Sequence, residues 1–275
     1  MMLLDLICFD CIMEQVNKGA PKDIKGDPIP TPYELINDSG LYEVNCSHGH
    51  KSLTIIDNIN FEILFDYSIN AIVDGYYREA VSSFTSSMER YFEFFIKSVL
   101  KASGNDFHQI DTTWKSISKQ SERQLGAYII LYNQTFLEKP LLLDPNKESA
   151  FRNSVIHKGY IPSRIEAIQY GDKIMEIIEG SLIILKSKYY EDVNDSFDYY
   201  GYKRHAEEKI GERERKDNKE IDFACVNIMT TIDVKNGREV REGDGRVGNI
   251  EQQTERIMKQ RVPRKLTLLK ENPNK

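Results

Sequence analysis

From Tyr77 to Val99 the apolar residues recur at steps of four and three: Tyr77, Val81, Phe84, Met88, Phe92, Phe95 and Val99. That spacing lays one stripe along a helix and predicts a long element with a single buried face. Before it, "DNINFEILFDYSINAIVDG" predicts a helix closed by Gly75. After it, "SERQLGAYIILYNQTFLEK" predicts one with Leu125, Tyr128, Ile129, Tyr132 and Phe136 on a common side. Asp144 and Pro145 make a cap and first-turn pair, and so predict the start of a helix through "FRNSVIHKGYIP" that ends at Gly159. Ile161, Ile165, Ile168, Met175, Ile178, Leu182 and Leu185 mark a further long helix starting after Pro162. Such helices with short connections predict an antiparallel bundle over residues 57–190 and a mainly α fold.

The flanks read differently. Residues 1–56 are rich in Pro, Gly and Cys, and "KGAPKDIKGDPIPTP" is barred from helix by its four prolines. This head is a small β/loop unit that needs a staple. In the third block, 191–275, "RHAEEKIGERERKDNKE" predicts an exposed charged helix. "IDFACVNIMTTIDVKNGREV" predicts a strand, an Asn236-Gly237 turn and a second strand, and a polar helix from Ile250 to Lys259 precedes a basic tail.

With 275 residues, 40 % hydrophobic and 29 % charged, the chain is long enough for a sizeable core and has an ordinary globular composition. No run approaches the ~18 apolar residues of a membrane helix. "MMLLDLICFDCIM" carries Asp5 and Asp10 and lacks a basic leader, so the expectation is a cytoplasmic protein with no membrane partner. The net charge of −6 argues against nonspecific adhesion to nucleic acid over the whole surface. A polyanion would need a local basic patch, and Arg256, Lys259, Arg261, Arg264, Lys265 and Lys270 of the tail offer one, though a solvated terminus explains them as well.

Cys8-x2-Cys11 is matched by Cys46 and His50 in "YEVNCSHGHKS". A C-x2-C turn sets two thiolates on one side of a tetrahedral zinc ion, and the second half supplies two more ligands from a turn that Gly49 lets fold back. His48 can take the place of His50, which is preferred because a glycine directly precedes it. The segment resembles a zinc ribbon, although the first half lacks the Pro and Gly that usually surround such cysteines. Four protein ligands fill the ion, which predicts a structural rather than a catalytic zinc. Cys225 is most simply a buried apolar residue.

Arg152, Asn153 and His157 put a guanidinium, an amide and an imidazole on one short helix. Asn153 and His157, four apart, share a face, and the long side chain of Arg152, one position round, is expected to swing across to the same spot. Arg pairs with phosphate oxygens, and an imidazole in a helix's last turn can exchange a proton with a ribose hydroxyl or a leaving oxygen. Lys158 adds positive charge. "REGDGRVGN" lacks the frame of a phosphate loop, and no serine or cysteine elbow accompanies His157.

The stretch "RNSVIHKGYIP", with the upstream helix "YYREAVSSFTSSMERYFEFFIKSVL", resembles the HEPN superfamily, helical domains marked by Arg, a polar residue, three more residues and His. Arg152, Asn153 and His157 match that motif. "SSMERYFEFFIK" resembles the first long helix of the Abi-like branch, with Glu89 where such domains often carry an acid. The resemblance spans about Asn58 to Tyr190. It implies metal-independent RNA cleavage to a 2′,3′-cyclic phosphate and a 5′-hydroxyl, at a composite site between the two subunits of a homodimer, with Lys158 and Glu89 helping to hold substrate. A toxin or phage-defence effector, paired with an antitoxin or defence-system protein, is the expected setting. The alternative is a noncatalytic HEPN scaffold or sensor that dimerises and recruits a partner.

Overall fold

The computed structural model describes residues 3–4, 6, 8–17, 34–46 and 48–260. The whole proline-rich loop and the basic tail from Arg261 onward lie outside the described residues.

The head holds β1 (Leu3–Leu4), α1 (Phe9–Asn17), β2 (Glu34–Leu35), β3 (Leu41–Asn45) and β4 (Lys51–Ile56). The bundle follows with α2 (Asn60–Val73), α3 (Tyr77–Ala102), α4 (Phe107–Lys115), α5 (Ser121–Phe136), α6 (Glu148–Lys158) and α7 (Arg164–Tyr200). Then come α8 (Tyr202–Asp217), β5 (Phe223–Val226), α9 (Arg238–Gly243) and α10 (Ile250–Gln260). The protein is therefore mainly helical with a small three-stranded sheet. Among the described residues, no helix is long and apolar enough to cross a membrane.

The stripe of α3 packs against α2, α5 and α7. Phe61, Phe65, Phe84, Tyr91, Phe95 and Tyr128 are fully buried there, and Phe92 stacks on Tyr128 with ring centroids 4.2 Å apart. Burying an aromatic side chain contributes on the order of 2–3 kcal/mol, so this aromatic seam dominates the core. Gly75 closes α2 with φ +82. α3 and α7 approach closely at Gly171, where a Cβ would stand 2.6 Å from the Phe84 ring.

Four expectations need correction. Cys225, expected as a buried apolar residue, is exposed on β5, where Ala224 is the buried position. Helix α6 begins at Glu148, not at Pro145: the Asp144 side chain accepts from the Asn146 amide at 2.8 Å, and Glu148 reaches back to the Asp144 amide at 2.9 Å, so a turn occupies the intended first helical turn. Helix α7 continues to Tyr200, ten residues past the expected change of pattern, across a kink at Tyr189 (φ −132, ψ 48). The Asn236-Gly237 hairpin does not form. β5 instead pairs in parallel with β4, Leu53 opposite Phe223 and Ile56 opposite Val226, which completes the sheet order β3-β4-β5.

The segment after β5 is buried without being strand, and polar side chains on the approach to α2 and along it hold its backbone. Asn58, Glu62 and Asp66 recur every four residues. Asn58 accepts from the Ile228 amide (2.8 Å) and donates to its carbonyl (3.0 Å). Glu62 accepts from the Val234 amide (2.6 Å), and Asp66 from that of Thr231 (2.9 Å). Deeper still, Arg246 is fully buried and donates to Asp233 (2.7 Å), the Thr230 carbonyl (2.9 Å) and Asp244 (3.0 Å). Helix α10 packs on α2 and α7. Residues beyond 220 thus close both the sheet and the bundle.

Candidate functional site

In the head, the loop before α1 and the β3–β4 turn face each other. Cys8 precedes α1 and Cys11 lies in its first turn. In the opposing knuckle, the Gly49 amide donates to the Cys46 carbonyl at 3.0 Å and the Cys46 amide to the His50 carbonyl at 3.2 Å, with Gly49 at φ +86. Only glycine adopts that backbone without strain. One donor atom from each of Cys8, Cys11, Cys46 and His50 falls within 4.8 Å of all the others, and the three cysteines are buried.

The donor set fits a metal ion. With metal–sulfur bonds of about 2.3 Å and metal–nitrogen bonds of about 2.0 Å, the edges of a tetrahedron are roughly 3.5–3.8 Å long. Cys11 Sγ lies 3.6 Å from Cys46 Sγ and 3.2 Å from His50 Nδ1, and Cys8 Sγ lies 3.9 Å from that nitrogen. The imidazole is turned by Glu14, whose carboxylate stands 3.1 Å from Nε2 and leaves Nδ1 facing the sulfurs. Ser52 Oγ donates to Cys8 Sγ at 3.5 Å. Burial, and then hydrogen bonds with the Cys46 and Cys8 sulfurs, push the Cys11 thiol up to about 12. Burial also opposes ionisation of Cys46, but the backbone amides of His50 and His48 offset it and bring that thiol down to about 7. The exposed His48 also comes within 3.3 Å of Cys11, but it lies outside the mutually close quartet.

Along the bundle, α6 is anchored by Val155, fully buried, and by Phe151, whose ring lies 5.6 Å from that of Tyr170. Residues 151 and 155 face the core, so 153 and 157 face away: Asn153, His157 and Lys158 are all exposed. Helix α6 ends at Gly159 with φ +73, and the Gly159 and Tyr160 amides both donate to the Ser154 carbonyl. His157 and Lys158 thus sit in the last turn, at the negative end of the helix.

Arg152 takes another direction. Its side chain is about three-quarters buried and turns to α3, with Nη1 4.0 Å from Glu89 Oε1, and its Nε is enclosed without a hydrogen-bond partner. Five residues put Arg152 and His157 about 140° apart around the helix. Within one chain the fold therefore sets Arg152 beside Glu89 and leaves Asn153 and His157, one helical turn apart, on the outer face. No hydrogen bond joins the two pairs among the described residues.

The sequence reading missed a cleft of about 460 Å³ between α3, α4, α7 and α8. Arg90 and Lys97 both pair with Glu93 there, Arg204 pairs with Glu208, and Asp111 accepts from the Tyr200 hydroxyl at 3.0 Å. Lys97 lies 3.9 Å from the centre of the Tyr200 ring. The ion pairs are local ones within α3 and within α8, while Tyr200 of α7 ties Asp111 of α4 to Lys97 of α3, a cross-helix contact that periodicity could not reveal because its partners are distant in sequence. No family model matches this chain, and no curated protein or solved structure matches it either.

Proposed function

We propose that the chain is a metal-independent endoribonuclease of HEPN type, with a head stapled by a structural zinc ion. The observation that carries the reading is the outer face of α6, where Asn153, His157 and Lys158 stand exposed together at a helix end while Arg152 waits at its flank beside Glu89. Two copies meeting over this face complete the site. Tyr160, Ile161 and Ile165, which follow His157 along the chain, are 44 %, 77 % and 66 % exposed, which supplies apolar surface for such a contact.

In this reading a His157 imidazole takes the proton of a ribose 2′-hydroxyl. The 2′-oxygen attacks the adjacent phosphorus, and the bond to the 5′-oxygen breaks. The leaving oxygen takes a proton from the second subunit's imidazole, giving the 2′,3′-cyclic phosphate and a 5′-hydroxyl. Arg152 and Lys158 neutralise the charge that builds on the phosphoryl oxygens, and Glu89 positions the guanidinium. The zinc ion takes no part, since four protein ligands leave it no open position.

Incubating the purified protein with RNA and mapping the ends tests this. Wild type is expected to leave cyclic-phosphate ends, and His157→Ala to slow cleavage by about 10²–10⁴. Equal rates for the two proteins would overturn the assignment. The turn of Arg152 toward Glu89 favours the second reading, a noncatalytic scaffold of the same fold, for which neither protein cleaves and both dimerise.

A further inference from the structure

A cavity of about 240 Å³ opens beside α6, between α3, α5 and the turn that precedes α6. Its walls are the side chains of Met88, Phe92, Leu125 and Leu142, and Glu89 and Arg152 line it as well. Phe92 is held flat by its stack on Tyr128. The two polar groups are poorly matched to each other: 4.0 Å between Arg152 Nη1 and Glu89 Oε1 is too long for a hydrogen bond, and the enclosed Arg152 Nε–H has no acceptor. A largely apolar slot thus carries the Arg152 guanidinium and the Glu89 carboxylate side by side and not hydrogen-bonded to each other, with Ser121, Glu122, Gln124 and Ser149 also in its lining.

A nucleobase presents that chemistry in reverse: a flat apolar ring with a donor and an acceptor adjacent on its edge. The volume lies below the roughly 300–1,000 Å³ of drug-sized pockets, which suits one ring system. We infer that this cavity receives a single unstacked base of the RNA strand, read at its edge by Glu89 and Arg152. The placement rests on the ribonuclease reading. His157 lies about 7.5 Å further along α6 and about 140° round it, so the ribose and 3′-phosphate of a base seated in the cavity must pass round the helix to reach the imidazole.

Binding tests the cavity without requiring cleavage. Full-length wild type and His157→Ala are titrated by calorimetry with the four nucleoside 3′-monophosphates and with ribose 5-phosphate. At least one nucleotide is expected to bind both proteins about tenfold or more tighter than ribose 5-phosphate. Leu125, 37 % exposed, sits at the mouth, so Leu125→Trp should fill the slot, remove that preference and leave the circular dichroism spectrum unchanged. Glu89→Gln should change which base is preferred, because it replaces an acceptor by a donor. Lack of preference for any base over ribose 5-phosphate, or an affinity untouched by Leu125→Trp, would overturn the inference. A base that binds and is lost in Leu125→Trp, in a protein that cleaves no RNA, upholds the cavity and removes the nuclease. Cleavage by wild type that Leu125→Trp leaves unaltered at every dinucleotide does the reverse.

Discussion

Replacing Arg246 by Met should be among the most damaging single changes in the bundle. The side chains of Arg246 and Asp233 are each 1 % exposed. The guanidinium donates to Asp233, to Asp244 and to the Thr230 carbonyl, while Asp233 also accepts from the amide and side chain of Asn236. Met restores most of the volume but leaves the Asp233 carboxylate buried without its cation. Breaking one side of a desolvated pair costs about 3–5 kcal/mol. With a urea slope near the upper end of the ~1–3 kcal/mol/M range, a loss of ~4 kcal/mol lowers the unfolding midpoint by roughly 1.3 M. Asp244 is 40 % exposed and can return to water, so it adds little. Adding Asp233→Asn removes the stranded charge and keeps an oxygen for the Asn236 amide, so the double variant should recover much of the loss. A midpoint for Arg246→Met within ~0.3 M of wild type, or a double variant no better than the single, would refute the claim that this pair is desolvated and structural.

Other expectations follow from the same structure. Chelation should release one zinc ion per chain and abolish hydrogen-exchange protection in β3 and β4 while α3 and α7 keep theirs, because the small head core counts three of the ligand cysteines among its buried residues. Glu14→Gln should weaken metal affinity about 10–100-fold in a competition titration. Glu62 is pushed up to about 8, by burial first and then by Asp233, against hydrogen bonds from Val234, Asn58 and Ile59. Its folded pKa exceeds its unfolded one, so the native state holds the extra proton. Stability should fall as pH rises from about 4.5 through 8, and Glu62→Gln should flatten that slope in urea titrations. Gly171→Ala should cost about 1–3 kcal/mol, read as a lower melting temperature, because its new methyl meets Phe84 and Ile250.

The long helices were legible because each carries its own signal. The stripe of α3, the stop at Gly75 and the break at Gly159 are all written within a few residues of where they act. The cysteine and histidine quartet was legible for the same reason, since two short spacings announce it. The C-terminal block was not. Asn236-Gly237 carries the local mark of a hairpin turn, but the chain there is held by carboxylates of α2 some 170 positions earlier, and β5 finds its partner in β4 at the same remove. Nothing near Phe223 encodes that choice. The exposure of Asn153 and His157 on one face of α6 was legible from their spacing, whereas the turn of Arg152 away from them toward Glu89 follows from packing against α3, which spacing alone does not specify.

The parallel pairing of β4 with β5 has a consequence for how the molecule comes into being. A strand made early in synthesis keeps one edge bare until the ribosome has released a segment more than 160 residues later. During that interval the buried acids of α2 also lack the backbone amides that will satisfy them. The nascent protein therefore cannot mature piece by piece from its amino terminus, and a message cut short before Phe223 yields a chain with an open sheet, which quality-control proteases would readily degrade.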